Sequence, residues 1–579
     1  MKKRILSIIL ALSLMFSLAA VRGITASAES FTSGDFECEL LDDGTVGITG
    51  YNGSSETFDI PSTIDGKTVS RIQMGAFDDT AYYNNKSNWE NGVLYIGNCL
   101  ISGKLMAYDE ELHEYYVITE AKDDYKVKDG TRIIADDAFA GCLFLTSVTI
   151  PDSVTSVGFM AFDGCRSLTD INVSADNKHF CSQDGVLFNK DKTEIIRHPA
   201  GKRAVRYIIP NSVTTICNNA FAYCDSLESV TLPNGITTIG EDAFFSCESL
   251  NGITFPDSVK SIGDSAFYSC DSLESVTLPD SVTYVGEYAF SHCDSLISAT
   301  IPDSVTFIGW YAFSRCYLLK SVKIGDNVTE FGGNVFDKTA LYYNEKNWKD
   351  GVLYVGNYLV SGKLTSFDDE TYDEKVITEV KGDYKVKDGT KVIADTAFEN
   401  CTLLTSITIP DSLITIGEYA FNGCTALTDI TIPNSVISIG SYAFDWCSSM
   451  TSVTIPESVT HIGWRAFGYY LDYETFEEKK MSDFHIYCHR GTDAERYAFE
   501  NDIEYTLLKR PNADYGDANC DGNIDMLDVL LIRKYIEKQP VTIDFTVSDV
   551  TCDNSVDMLD VLLIRKYIAK QPVHLGPQA

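Results

Sequence analysis

Ser272–Asp294 reads SLESVTLPDSVTYVGEYAFSHCD, and this stretch decides the fold. Val276 and Leu278 alternate with Thr277, the period-two pattern of a short strand with apolar side chains inward and threonine outward. Pro279 ends that strand, because proline has no N–H to donate to a ladder. Val282 to Gly286 forms a second short extended piece, and Ala289-Phe290 with Cys293 makes a tight turn that sinks Phe and Cys into a core. The same positions return every 23 residues: Pro210, Pro233, Pro256, Pro279 and Pro302; Phe221, Phe244, Phe267, Phe290 and Phe313; Cys224, Cys247, Cys270, Cys293 and Cys316. No single unit can bury that core. Neighbours stacked at about 4.8 Å per rung can. The expected fold is therefore a β-rich solenoid with a 23-residue period, its cysteines set on one register by packing and read as reduced core thiols.

Working outward, Phe77 to Cys142 returns as Phe336 to Cys401, a shift of 259 residues. Each copy carries an insertion (about 80–130 and 339–390) that reads as a hairpin turning at Gly97-Asn98 or Gly356-Asn357. Ile486 to Leu508 breaks the period and reads as a C-terminal cap over 486–508, followed by a linker at 509–515. The repeat unit resembles the BspA-like leucine-rich repeats of bacterial surface proteins across most of residues 36–508, which implies a solenoid over 29–508.

The tail is different. DANCDGNIDMLDVLLIRKYIEKQPV recurs 32 residues later as DVTCDNSVDMLDVLLIRKYIAKQPV. The first copy sets Asp517, Asn519, Asp521, Asp525 and Asp528 at loop positions 1, 3, 5, 9 and 12, with the carbonyl of Asn523 at 7 and Gly522 at the turn. Hard oxygen ligands at alternate positions before an apolar helix are the spacing of a calcium loop. The second copy offers Asp549, Thr551, Asp553, Ser555, Asp557 and Asp560, so two ions are expected. Thr551 brings a hydroxyl where a carboxylate or amide is usual, and predicts the weaker site. Cys520 and Cys552 take a non-ligand position, since sulfur is a poor calcium ligand.

The tandem resembles a type I dockerin, over 516–579 by boundary and roughly 516 to 573 by motif. The resemblance implies a small all-α module whose partner is the cohesin of a cellulosomal scaffoldin. It carries the cohesin-binding role onto Met526, Leu527, Arg533, Lys534 and Lys538, and onto Met558, Leu559, Arg565, Lys566 and Lys570. Basic residues late in a helix also suit its macrodipole. Near-identity of the halves implies docking in either of two orientations. Calcium is expected to fold the module, because the acidic loops repel until an ion is bound.

Lys2, Lys3 and Arg4, an apolar run from Ile5 to Val21 and then Ala26-Ser27-Ala28 read as a signal peptide over 1–28. No later run approaches the roughly 20 apolar residues of a membrane span. The chain is expected to be secreted, without membrane insertion, and held at a cell surface or cellulosome by its cohesin. A net charge of −37 argues against nucleic acid or an anionic membrane as partner. Eight histidines form no HExxH pair or Cys-His spacing, and no nucleophile-elbow or phosphate-loop motif stands in a fitting context. Most Asp and Glu recur in P-D-S or I-G-E turns, a repeat position and not the paired carboxylates of glycoside hydrolysis. The chain reads as non-catalytic. Tyr288, Trp310, Tyr311, Tyr419, Tyr442 and Trp464 recur before A-F and are a candidate ligand surface, against the plainer reading that they cover neighbouring rungs. Two classes stay open for the solenoid: an arm for a protein or surface ligand, or a polysaccharide-binding accessory.

Overall fold

The computed structural model describes residues 30–55, 57–78, 80–109, 114–367, 374–472, 477–508, 515–519, 523–539, 541, 543, 545–551, 555–573 and 575–576. Residues 1–28, which read as a signal peptide, lie outside them. The chain divides into two compact units, Met1–Ile236 with Asp242–Glu248, and Thr237–Glu241 with Ser249–Ala579.

The second unit shows the repeat at its most regular. Ser275–Thr277 pairs in parallel with Ser298–Ile301, and Tyr284–Val285 with Phe307–Ile308, so each coil contributes two short strands to two ladders. Val276 and Leu278 are buried while Thr277 is exposed, the alternation expected of this strand. Phe267, Phe290 and Phe313 stack face to face at 5.2 Å per step. Each thiol then takes a carbonyl from the preceding coil: Cys293 Sγ donates to Phe267 O at 3.2 Å and Cys316 Sγ to Phe290 O at 3.0 Å. That bond explains cysteine at this register. It is small and apolar enough to be buried, yet it brings a second donor to a carbonyl in the turn, as at Phe267 O, which also accepts from Cys270 N at 3.3 Å. The described cysteines are free, and burial pushes the Cys401 thiol up to about 12. Glycine precedes the turn because the coils nearly touch there. A Cβ on Gly309 would lie 2.6 Å from Gly286 C. The turn itself holds left-handed backbone at Ser265, Tyr288, Tyr311, Asn334, Thr396, Tyr419, Tyr442 and Arg465.

In the first unit Ser30–Ser33, Phe36–Leu40 and Val46–Tyr51 form an antiparallel meander, and Val46–Tyr51 then pairs in parallel with Lys67–Ile72. Phe139 and Phe162 stack at 5.5 Å, as do Phe221 and Phe244 at 4.8 Å. Val93–Ile96 and Cys99–Ser102 form a hairpin closed by Gly97-Asn98, as Val352–Val355 and Tyr358–Ser361 do in the second unit. The periodicity predicts two hairpin interruptions; the structure has more. Phe180–Gln183 pairs with Val186–Asn189 across Asp184-Gly185, both at positive φ, and Tyr469–Asp472 pairs with Glu477–Lys480. The Asp-Gly dipeptide is itself a hairpin signal. After the last coil, His485–Cys488 and Glu504–Leu507 pair in parallel around the helix Asp493–Glu500. Among the described residues no helix is long and apolar enough to cross a membrane.

Candidate calcium loops and docking surfaces

Met526–Ile536 (α1) and Met558–Ile568 (α2) share the sequence MLDVLLIRKYI, and each begins at an acidic cap. Asp525 Oδ1 accepts from Leu527 N at 2.7 Å, and Asp557 Oδ1 from Leu559 N at 2.6 Å. Three residues on, Asp528 reaches back: its Oδ2 accepts from Asp525 N at 2.8 Å and its Oδ1 from Asn519 N at 3.3 Å. Asp560 does the same with Asp557 N at 2.8 Å and Thr551 N at 3.1 Å. The last loop position therefore closes a capping box and ties the loop onto the helix at once.

These carboxylates are placed where a bare acid is costly. Asp517, Asp528, Asp549 and Asp560 are all buried. Burial, with the Asp517 charge alongside, raises the Asp528 carboxyl; burial, with Asp549 alongside, raises that of Asp560. Two like-charged, hydrogen-bonded oxygen donors closed on one loop fit a hard divalent cation, which would relieve the repulsion. The loops differ at position 3, where Thr551 Oγ1 donates to Asp549 Oδ1 at 3.0 Å. A neutral hydroxyl so engaged is a weaker ligand for a hard cation than the Asn519 carboxamide at the same position of the first loop. Asn523, Asp525, Ser555 and Asp557 are exposed at the loop exits, while Asp521 and Asp553 lie outside the described residues. Among the described residues, no three acidic, histidine or cysteine side chains form a metal-holding group.

The helices pack on each other through Val529, Ile532, Val561 and Ile564, with Ala518, Ile543 and Val550 completing a small core. The opposite face stays bare. Met526, Leu527, Met558 and Leu559 are each about half exposed, and Arg533 and Arg565 stand on the same side one to two turns on. Leu530 and Leu562 are equally exposed and fill the gap between them. The sequence reading passed over these two leucines, because MLDVLLIRKYI is apolar around most of its circumference; only helical spacing from Met526 and Met558 points to them. Lys534 and Lys566 are half-buried. Lys538 and Lys570 are exposed in left-handed backbone past the helix ends, where Gln539 N donates to Lys534 O and Gln571 N to Lys566 O, both at 2.9 Å.

On the solenoid, the six aromatic candidates come together as one row. Tyr288 stacks on Tyr311 at 4.9 Å, Trp310 meets Tyr419 edge-on at 6.4 Å, Tyr419 stacks on Tyr442 at 4.6 Å, and Tyr442 meets Trp464 edge-on at 5.0 Å. They are not equivalent. Trp310 is half-buried and hydrogen-bonds the half-buried Asp395, whereas Trp464 is 56% exposed. The tyrosines are half-buried.

The repeats match the model of the BspA type leucine rich repeat region in six copies, at residues 121–197, 207–343 and 365–506, and the chain belongs to this family. Residues 515–569 match the dockerin type I domain. A dockerin implies a cohesin-binding cellulosome component, leucine-rich repeats imply protein interaction, and neither family is catalytic. Type I dockerins bind calcium. No curated protein matches the chain. Similar solved structures include a leucine-rich repeat protein from Eubacterium ventriosum, 21% identical, with 74% of this chain and 96% of that one covered and a TM-score of 0.31. A leucine-rich repeat protein from Bacteroides ovatus is 22% identical, covering 71% of this chain and 99% of its own, at a TM-score of 0.28. The pneumococcal vaccine antigen PcpA is 16% identical, covering 83% and 99%, at 0.32. At such TM-scores the family assignment rests on the repeat model.

Proposed function

We propose that this chain is a secreted, non-catalytic component mounted on a scaffoldin by calcium-loaded loops, with the solenoid as the arm that holds a protein or surface ligand. The observation that carries the docking half is the duplicated bare face: Met526, Leu527, Leu530 and Arg533 on α1, repeated as Met558, Leu559, Leu562 and Arg565 on α2. A small module with two identical apolar-and-basic faces is built to be covered, since isolated soluble domains rarely leave such patches open. In the first loop, Asp517, Asn519, Asp521, Asn523, Asp525 and Asp528 would hold one ion; in the second, Asp549, Thr551, Asp553, Ser555, Asp557 and Asp560 would hold another. The ions would supply the positive charge that lets each loop close on its helix. Lys534, Lys538, Lys566 and Lys570 would rim the docked surface.

Calorimetry of the full chain with a panel of type I cohesin modules, with calcium and with chelator, tests this reading. Binding in calcium that chelator abolishes supports it; equal binding in both conditions sinks it. Combining Met526→Ala with Leu527→Ala, and separately Met558→Ala with Leu559→Ala, tests two-way docking. Each pair alone should leave affinity within about two-fold, and both together should remove it.

A second reading of the solenoid rests on one specific residue. Trp464 is an exposed indole at the end of the aromatic row, the kind of surface on which a sugar ring stacks. Loss of retention on insoluble polysaccharide in Trp464→Ala, with the melting temperature unchanged, would favour a polysaccharide-binding accessory. Survival of a protein partner's binding in the same variant would leave the ring with a packing role.

A further inference from the structure

The second insertion leaves a cavity where it departs from the solenoid. Asp395 N donates to Phe331 O at 2.9 Å while Val392–Ile393 pairs in parallel with Tyr358–Leu359, so the chain returns beside the coil it left with the inserted hairpin built into the ladder and the other inserted residues at its side. Their short helix Ala340–Tyr343 and the strand Lys363–Phe367 become two walls, joined where Tyr342 OH donates to Lys363 O at 3.1 Å. The turns of the solenoid form the rest. Between them is a cavity of ≈ 390 Å³ whose lining includes Tyr311, Asn334, Tyr343, Thr365, Glu399 and Asn400. That volume lies within the range of small-ligand sites, roughly 300–1,000 Å³.

The lining chemistry selects a ligand class. Asp337 and Glu399 are offset by Lys338 and Lys363, so the cavity favours neither an anion nor a cation. Hydroxyls and two carboxamides supply both donors and acceptors, which suits a ligand whose own groups do both. Tyr343 is 40% exposed, and Tyr311 continues the stacked pair begun by Tyr288. Aromatic faces beside mixed donors and acceptors, without net charge, match a polyhydroxylated ring with an apolar face.

The first insertion supplies an internal control. It is built by the same bonds: Trp89 Nε1 donates to Tyr83 O at 2.8 Å as Trp348 Nε1 does to Tyr342 O at 2.6 Å, and the Tyr95–Tyr125 hydroxyl pair at 3.1 Å matches Tyr354–Tyr384 at 3.0 Å. Yet at the positions of Asn334, Tyr343, Thr365, Glu399 and Asn400 it has Gly75, Asn84, Met106, Ala140 and Gly141. The scaffold thus forms without the polar set. Backbone cost points the same way, because Thr396, a β-branched residue on the lining, holds φ 57° where the first insertion uses Asp137.

We propose that this cavity binds a segment of a neutral oligosaccharide, an inference that rests on the second reading of the solenoid and gives it a site apart from Trp464. The test titrates cellohexaose and a neutral glycan array against the full chain and two variants. One variant, Glu399→Ala with Asn400→Gly, installs the first insertion's residues; glycine suits the φ of 55° at Asn400, so folding is expected to hold. The other is Trp464→Ala. The proposal expects at least a ten-fold loss of affinity in the double variant, a change within about two-fold in Trp464→Ala, and unaltered cohesin binding in both. Should the double variant melt early, Thr365→Met replaces it with the same expectation. Undiminished binding in the cavity variant, with loss in Trp464→Ala, overturns the cavity and leaves the second reading standing. Binding of no neutral glycan by the parent chain overturns both, and leaves docking through the dockerin untouched.

Discussion

The solenoid and the C-terminal module face one problem, a repeating unit too small to fold alone, and solve it with opposite chemistry. The solenoid stacks Phe267, Phe290 and Phe313 at 5.2 Å and lets each thiol satisfy a carbonyl of the preceding coil. Its cohesion is apolar and continuous. The module has two eleven-residue helices over a core of a few aliphatic side chains, with Asp517 pressed toward Asp528 and Asp549 toward Asp560. Burial raises the Asp528 and Asp560 carboxyls, so a charge cost is set against that small core. One region is therefore a permanent arm, and the other is suited to a conditional latch.

Chelation should separate the two most sharply. Removing calcium is expected to weaken cohesin binding by at least ~100-fold and to cost the helical signal of α1 and α2, while the solenoid's melting transition stays in place. Differential scanning calorimetry with circular dichroism would check this, and a chelator-sensitive solenoid would break the contrast. Next in size, Phe290→Ala should cost the solenoid about 3–5 kcal/mol through the cavity it opens in the stack, with cohesin affinity unchanged. Gly309→Ala should cost about 1–3 kcal/mol by pushing a Cβ into the neighbouring coil, measured by denaturant unfolding.

The smallest effect is a pH slope. Burial, with the Asp264 and Glu418 charges nearby, raises the Glu287 carboxyl to about 7. The folded state then holds a proton that the unfolded chain, titrating near 4.5, has released. The stabilisation is complete below the unfolded value and is lost as pH rises through about 7. The solenoid should melt higher at pH 5 than at pH 8, and Glu287→Gln should flatten the difference. An unchanged slope in that variant would remove Glu287 as its source.

Much of this was legible in the chain itself. Strand, proline stop, buried Phe and buried Cys followed from one 23-residue unit, because a repeated residue in a stacked fold meets only its own copy. That Asp528 and Asp560 cap their own helices was within reach of local spacing, because a capping box joins residues three apart. Leu530 and Leu562 were not: an apolar residue in an apolar helix shows its exposure only when the packing partner is known. The Asp184-Gly185 hairpin was passed over because the surrounding period was read through it. Trp310 looked equivalent to Trp464 by position, and only the rejoined coil, which brings Asp395 beside it, gave it a packing role.

The sequence by itself determined the repeat, its core and the chemistry of the tail, since each of these depends on residues within one coil or one loop. Tertiary structure alone decided which exposed side chains share a surface. It lined up six aromatic rings and drew a polar cavity from residues as far apart as Tyr311 and Asn400. Both juxtapositions depend on Asp395 N meeting Phe331 O across the insertion, a long-range contact that local spacing does not encode.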